Sequence, residues 1–267
     1  MALSKAQVAR YSRQLILPEV GVSGQNRLSE ASVLVIGAGG LGSPVLFYLS
    51  AAGVGRIGII DADAVAWSNL HRQTLYETPD VGRPKAVVAA ERMRRLNPEI
   101  VVEAIEGRFD AANAKDLVSR WQMVIDGSDN FVTRYLANDA CVLEDRFLVH
   151  GGVVAFQGQV MSVRPRQSAC YRCVFPEPPA VGSVPSCQEA GVLGAEAGLI
   201  GSLMAHEALK AILGVGEPLL NRLVVFDGRL SRFREVPVRR NPECAVCGEH
   251  PTINVIQCIE FAPACAG

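Results

Sequence analysis

The stretch VLVIGAGGLGSPVLFYLS, residues 33–50, decides the fold: an apolar run, a glycine turn, then a second apolar run. Gly37, Gly39 and Gly42 form G-x-G-x-x-G, which permits a tight turn, close approach of backbone to phosphate, and helix-to-sheet contact. Free N–H groups at the start of the new helix attract an anion. The next apolar run, RIGIID, ends at Asp61, about 20 residues on, where a carboxylate commonly takes a ribose hydroxyl. NAD, FAD and ATP all fit this pattern. The plain alternative is a tight βα turn that holds no ligand.

The chain has 267 residues, 49% of them hydrophobic, enough to bury a large core as one big α/β domain or two small ones. Lys and Arg total 26 against 27 for Asp and Glu, so no net positive field attracts nucleic acid. The N-terminal MALSKAQVARYSRQ lacks the apolar core of a signal peptide. VLGAEAGLIGSLMAHEALKAILGVG, the most apolar later run, is interrupted by Glu196, His206, Glu207 and Lys210. A cytoplasmic protein without membrane or nucleic-acid partners is expected. In that compartment eight cysteines point to metal or thiol chemistry rather than to a disulfide framework.

Beyond the first βα unit the pattern alternates as a mostly parallel sheet requires. Residues 84–98 read as a helix whose Ala86, Ala89, Met93 and Leu96 share a face, stopped by Asn97-Pro98. Strand IVVEAIEG and helix ANAKDLVSRW follow. MVIDGSDN, residues 123–130, reads as a buried strand ending in polar residues. Ligands of doubly wound sheets collect at the carboxyl ends of strands, so Asp126, Ser128, Asp129 and Asn130 are expected to face the crevice of Gly37–Gly42. Helix NFVTRYLANDACVLED leads to FLVHGGVVAFQGQVMSVRP, where Gly151-Gly152 and Gly158 are expected to punctuate antiparallel strands. A Pro/Gly-rich crossing loop at 173–187, an apolar helix over about 198–213, and strands RLVVFDG and RFREVPV complete the expectation. No internal repeat or interdomain linker stands out.

Cys170 and Cys173 form C-Y-R-C, and Cys244 and Cys247 form C-A-V-C. Two such knuckles supply four thiolates that close a tetrahedral site, which suits zinc and leaves no open position. The metal is therefore expected to be structural; the rival is a redox dithiol at one pair. Cys141 falls in a helical apolar pattern as a small core residue. Cys258 and Cys265 have no assigned role.

The glycine loop alone does not choose its nucleotide. A dehydrogenase needs a flat nicotinamide pocket, whereas an adenylating enzyme must neutralise a triphosphate and its leaving pyrophosphate. The second need calls for cations, and Arg13, Arg72 and Lys85 each stand near a break in regular structure from which a side chain can reach the crevice. Asp129 offers the hard oxygen that magnesium requires. Taken singly, each of these charges is most simply a solvated surface residue.

Six motifs together resemble the ThiF/MoeB/HesA family, prokaryotic relatives of ubiquitin-activating E1 enzymes. They are R-Y-S-R-Q (10–14), G-A-G-G-L-G (37–42), D-A-D (61–63), S-N-L-H-R-Q (68–73), V-G-R-P-K (81–85) and D-G-S-D-N-F-x-x-R (126–134). The segments C-Y-R-C, S-C-Q-E-A-G-V-L-G, A-H-E-A-L-K and C-A-V-C-G are similar to the same family, so the resemblance runs from about residue 8 to residue 253. It implies a single E1-like adenylation domain: a Rossmann-like, doubly wound, mostly parallel sheet extended by antiparallel strands, with a four-cysteine zinc clamp near the C-terminus. The ATP-binding part spans about 30–150, the carrier-binding and zinc part about 151–253, and a short tail 254–267.

The same resemblance implies the chemistry. The substrate is a small β-grasp sulfur-carrier protein of the MoaD or ThiS type ending in Gly-Gly, whose carboxylate attacks the α-phosphorus of ATP to give an acyl adenylate for later thiocarboxylate formation. Asp61 binds ribose; Asn69, Arg72 and Lys85 contact phosphates; Asp129 holds Mg2+. Gly37, Gly39, Gly40, Gly42, Ser68 and Asn130 complete the nucleotide site. Arg13 reaches the ATP of a neighbouring subunit, which implies a homodimer. Cys187 is either a covalent way-station for the carrier or a plain loop cysteine. No rhodanese-like segment follows in the resemblance, so a separate sulfur donor is expected. An NAD-dependent oxidoreductase and a non-catalytic nucleotide-sensing scaffold are the competing readings; the joint presence of Arg13, Arg72, Lys85 and Asp129 weighs against both.

Overall fold

The computed structural model describes residues 2–179 and 190–256. Its centre is an eight-stranded sheet in the order β3-β2-β1-β4-β5-β6-β7-β8. The strands are β1 (Ser32–Ile36), β2 (Arg56–Asp61), β3 (Val101–Glu106), β4 (Met123–Asp126), β5 (Phe147–Val154), β6 (Gln157–Val163), β7 (Arg222–Asp227) and β8 (Arg232–Pro237). The first five pair in parallel and the last three add on antiparallel. Neighbours of β1 on its two sides are β2 and β4, so the strand order reverses there and a crevice opens at the carboxyl ends.

Successive strand residues point to opposite faces, and β1 divides accordingly. Val33 and Val35 join one apolar layer and Leu34 and Ile36 the other. The helices are α1 (Lys5–Arg10), α2 (Ser12–Leu15), α3 (Gly21–Glu30), α4 (Gly42–Ala52), α5 (Lys85–Leu96), α6 (Ala114–Ser119), α7 (Phe131–Leu143), α8 (Tyr171–Val174) and α9 (Gly194–Leu213). Helices α4, α5 and α9 supply the first layer, with Leu46, Met93 and Met204 among its buried members. Helices α6 and α7 supply the second, which also takes in Cys170, Cys244 and Cys247. Sheet and helices thus form the expected doubly wound arrangement.

Three local expectations need correction. Ala86, Ala89 and Met93 are fully buried, but Leu96 is 38% exposed, because it is the last residue of α5 and reaches past the layer. Gly151, Gly152 and Gly158 lie inside β5 and β6 rather than between them, and the reversal falls at Ala155-Phe156. Those glycines serve contact: a Cβ at Gly151 would strike the Met204 sulfur, and one at Gly158 would strike Ile200, both on α9. Helix α9 itself begins at Gly194, before the expected residue 198.

The N-terminal helices carry no strong periodic signal, yet they are anchored. Gln14 Nε2 donates to Gln25 Oε1 at 2.9 Å and to the Ala52 carbonyl at 3.2 Å. The buried Asn97 amide donates to the Tyr11 hydroxyl and the Ser50 carbonyl, both at 2.8 Å. These partners lie at the C-terminal end of α4, the end away from the glycine loop.

A side chain at position 151 forces overpacking, typically about 1–3 kcal/mol. Gly151→Val is expected to lower the melting temperature by several degrees, and combining it with Met204→Ala is expected to cost less than the two changes summed. Thermal denaturation of the four chains checks this coupling.

Candidate nucleotide site and cysteine clamp

The turn after β1 is held by backbone contacts. Gly37 has φ +87°, and a Cβ there would lie 3.2 Å from the Gly127 carbonyl; a Cβ at Gly42 would strike the Gly37 carbonyl. Only glycine fits either place. Gly127 belongs to the turn after β4, so the two turns that wall the crevice touch through bare backbone.

Asp61, at the end of β2, fastens the loop. Its Oδ2 accepts the Ala38 N–H at 2.8 Å and its Oδ1 the Asp63 N–H at 2.9 Å. Burial raises its pKa, opposed by the nearby Lys85 ammonium and the two N–H bonds. Lys85 opens α5; its side chain is 6% exposed and its Nζ lies 2.8 Å from Oδ2 of the exposed Asp63. Asp63 faces solvent whereas the ammonium is nearly buried, so the pair sits at the protein surface beside Asp61.

Ser68 and Asn69 sit on a short 3-10 turn, Trp67–Asn69. The Ser68 carbonyl accepts from Arg72 Nη1 at 2.8 Å, and Asn69 Oδ1 accepts the Ala66 N–H at 3.1 Å. The Arg72 stem crosses Gly40, where a Cβ would lie 3.5 Å from Arg72 Cγ. Helix α9 closes the loop from above, with Ala197 against Gly40 and Gly201 against the Leu41 carbonyl. On the β4 side, Asn130 Oδ1 accepts the Thr133 N–H at 2.9 Å and so caps α7. Asp129 is exposed beside it, without an ion pair among the described residues.

Around one crevice the structure therefore gathers Gly37, Gly39, Gly40, Gly42, Asp61, Arg72, Lys85 and the turn bearing Asp129. It does not bring Arg13 there. That residue is exposed on α2, next to Gln14 and hence at the far end of α4, whose 11 residues span roughly 16 Å. Within its own chain Arg13 therefore stands apart from the crevice; the resemblance implied a reach into the site of a neighbouring subunit. Cys187 lies outside the described residues, as do Cys258 and Cys265.

Two crevice residues escaped the sequence analysis. The buried Tyr76 hydroxyl donates to the Ala38 carbonyl at 2.8 Å, and burial pushes its pKa up. Gln73 is 4% exposed, and its Oε1 finds no partner among the described residues. Gln73 stood in S-N-L-H-R-Q, but its burial beside Gly39 depends on tertiary packing.

The four knuckle cysteines come together. Their sulfurs all lie within 4.8 Å of one another, with Cys170–Cys173 at 3.9 Å, Cys170–Cys244 at 3.6 Å and Cys173–Cys247 at 3.4 Å. A tetrahedral zinc with ~2.3 Å bonds needs sulfurs about 3.8 Å apart, so the donor set and spacing fit that ion. One shared cluster also disfavours a redox dithiol at a single pair. The knuckle is braced to α7: Arg172 pairs with Asp139 through Nε and Nη2 at 2.8 and 2.7 Å, and the Tyr171 N–H reaches Asn138 Oδ1 at 2.8 Å. Cys141 is fully buried, and burial drives its thiol pKa well up, as befits a core residue.

A phosphate-ready turn at a strand-order reversal, rimmed by cations and backed by a four-cysteine clamp, defines a Rossmann-like nucleotide-binding protein. The ThiF family pattern matches residues 11–246, and the chain belongs to that family. It is 52% identical to a sulfur carrier protein adenylyltransferase of Thermus thermophilus, covering 94% of this chain and 95% of that protein. It is 46% identical to a SAMP-activating enzyme E1 of Haloferax volcanii, covering 100% and 98%. Among solved structures, E. coli MccB with ATP superposes at TM-score 0.77 and 25% identity, covering 90% of this chain and 74% of that one. These names favour the adenylyltransferase reading over the oxidoreductase one. No helix among the described residues is long and apolar enough to cross a membrane.

Closed thiolate sites contribute folding free energy directly. Metal analysis is expected to find one zinc per chain, and Cys244→Ser is expected to lower melting temperature and soluble yield. A stable, zinc-free Cys244→Ser protein would contradict the clamp.

Proposed function

We propose that this chain adenylates the C-terminal Gly-Gly carboxylate of a small ubiquitin-like sulfur-carrier protein, at the expense of ATP. The observation that carries the proposal is the convergence of Lys85, Arg72 and the Asp129 turn on one glycine loop. A carboxylate is a weak nucleophile approaching an anionic phosphate, so catalysis is mostly alignment and neutralisation of developing charge. The terminal carboxylate oxygen attacks the α-phosphorus. A new O–P bond forms, the bond from the α-phosphorus to the bridging oxygen breaks, and pyrophosphate leaves with that electron pair. The product is a mixed anhydride, open to attack by a sulfur nucleophile that a separate donor supplies.

In this scheme the N–H groups of the glycine turn that are not already bound to Ile60 or Asp61, with those at the start of α4, receive phosphate oxygens. Asp61 serves the ribose while it holds Ala38 and Asp63. Lys85 exchanges Asp63 for a phosphate oxygen, with Asn69 and Arg72 on the opposite rim and Ser68 and Asn130 beside them. Asp129 fits magnesium: Mg2+ is held by one or two carboxylates plus substrate phosphates, and this exposed carboxylate has no competing cation among the described residues. When bound, that ion neutralises the charge developing on the leaving pyrophosphate. The cysteine clamp holds structure and takes no part in the chemistry. Adenylation itself does not call on Cys187, whose alternatives, a later covalent way-station for the carrier or a plain loop cysteine, both fit this step.

Arg13 belongs to the site only across a subunit boundary. Its exposure at the far end of α4 suits presentation to a second copy, giving a homodimer with two composite sites in a cytoplasmic enzyme.

ATP–pyrophosphate exchange is expected only when a carrier ending in Gly-Gly is added. Asp129→Ala and Lys85→Ala should each reduce it by roughly 10² to 10³, as for other preorganised charge-stabilising groups. Full exchange by the Asp129 variant refutes the site.

Arg13→Ala alone should be inactive, yet mixing it with inactive Asp129→Ala should restore activity, since a mixed dimer holds one intact site. If labelled subunits demonstrably exchange and no activity returns, the composite site is wrong.

A further inference from the structure

Below the crevice lies a buried polar pair to which the adenylation scheme gives no task. Asp126 ends β4, and His150 lies beside it in register on β5. Both side chains are 1% exposed, and His150 Nδ1 sits 2.8 Å from Asp126 Oδ2. An ionised carboxylate only accepts, so Nδ1 carries the proton; Nε2 is buried with no hydrogen-bond partner among the described residues. Burial lowers the His150 pKa, which keeps the ring neutral. Burial is the largest single influence on Asp126 and would raise its pKa, but His150, the bond from Ser128 and the nearby Arg134 guanidinium together outweigh it, and the carboxylate stays charged.

Stability does not account for this pair. Parallel strands buried on both faces are normally apolar throughout, and an apolar pair of similar volume is often as stable as a buried polar one or more so. What the pair does is local. The second oxygen of Asp126 accepts the Ser128 N–H at 3.0 Å, and the Gly127 N–H reaches the Ile36 carbonyl at 3.0 Å. Those bonds set the turn whose Gly127 carbonyl abuts Gly37 and whose next residue is Asp129. Around the imidazole, the Tyr171 ring stands edge-on at 4.6 Å between centroids, and the buried Arg134 guanidinium lies over Gly152. The ring therefore has little room to turn away from Asp126.

We propose that His150 is a positioning residue for the metal and nucleotide end of the site: it fixes the Asp126 carboxylate, which holds the Gly127–Ser128 turn against the glycine loop and so aims Asp129. The proposal rests on the assignment of Asp129 to magnesium. His150 touches neither nucleotide nor metal. It acts as an outer-shell partner, a type of group whose loss commonly costs 10- to 100-fold in metal affinity or activity.

The test is equilibrium binding of ATP to the full chain across a magnesium series, without any carrier. His150→Val, which removes the donor, is expected to weaken magnesium-dependent ATP binding about 10-fold and to raise the magnesium needed for half-saturation. Binding of ATP in EDTA should change far less. His150→Asn is close to valine in volume and keeps a side-chain N–H where Nδ1 was, so it should restore most of the magnesium dependence. Should His150→Val not fold, the double variant Asp126→Asn, His150→Val removes the buried charge together with its partner and carries the same expectation. A merely structural role would lower the melting temperature while leaving the magnesium dependence untouched, and that result overturns the proposal. Equal losses in His150→Asn and His150→Val overturn it too. Asp129→Ala is measured alongside: if its magnesium dependence is that of the wild type, the magnesium assignment fails and the positioning role with it, whereas an impaired Asp129→Ala beside an unimpaired His150→Val sinks the positioning role alone.

Discussion

Everything at the crevice depends on two turns meeting through backbone alone. The turn after β1 and the turn after β4 approach so closely that Gly37 and Gly127 face each other with no side chain between. That closeness lets N–H groups point outward at a phosphate instead of being screened by side chains. It also makes the loop rigid, because Gly37 N–H is already bound to the Ile60 carbonyl at 2.9 Å and Ala38 N–H to Asp61. Little ordering is left for the nucleotide to impose, which favours binding by a preformed site.

Helix α9 and the cysteine clamp hold opposite faces of the same sheet. On one face α9 lies over both the glycine loop and β5–β6, and its own Glu207 is buried with Lys210 at 2.6 Å and the Leu219 N–H at 2.7 Å. On the other face the knuckles draw the segment after β8 back onto α7, through Arg172–Asp139 and Tyr171–Asn138. The antiparallel extension is thereby gripped from both sides.

The glycine turn, the alternation of strands and helices, and the paired C-x-x-C motifs were legible in the sequence because each is a local or strictly spaced signal. Lys85 and Asp61 were legible for the same reason, standing at the ends of periodic runs. The seating of Arg13 was not, since it is set by Gln25, Ala52 and Asn97, whose polar contacts with Gln14 and Tyr11 span 11, 38 and 86 residues and leave no period. Nor were the Asp126–His150 pair and the burial of Gln73: the first needs the register of β4 against β5, the second the approach of the chain after Trp67–Asn69 to Gly39. Gly151 and Gly158 illustrate the opposite error. Glycine commonly punctuates, but here it makes room for Met204 and Ile200, and only a packed helix can show that.

Among the described residues strand β8 pairs with β7 alone and is largely exposed, so there the sheet ends in an open row of backbone donors and acceptors. Such an edge invites another strand to join, in the manner of a growing fibril. Here it carries Arg232 and Arg234 and finishes at Pro237. Like charges would oppose each other when two copies aligned in parallel and in register, and proline withholds the donor that would continue the ladder. The open edge of the sheet is thus guarded against runaway self-assembly.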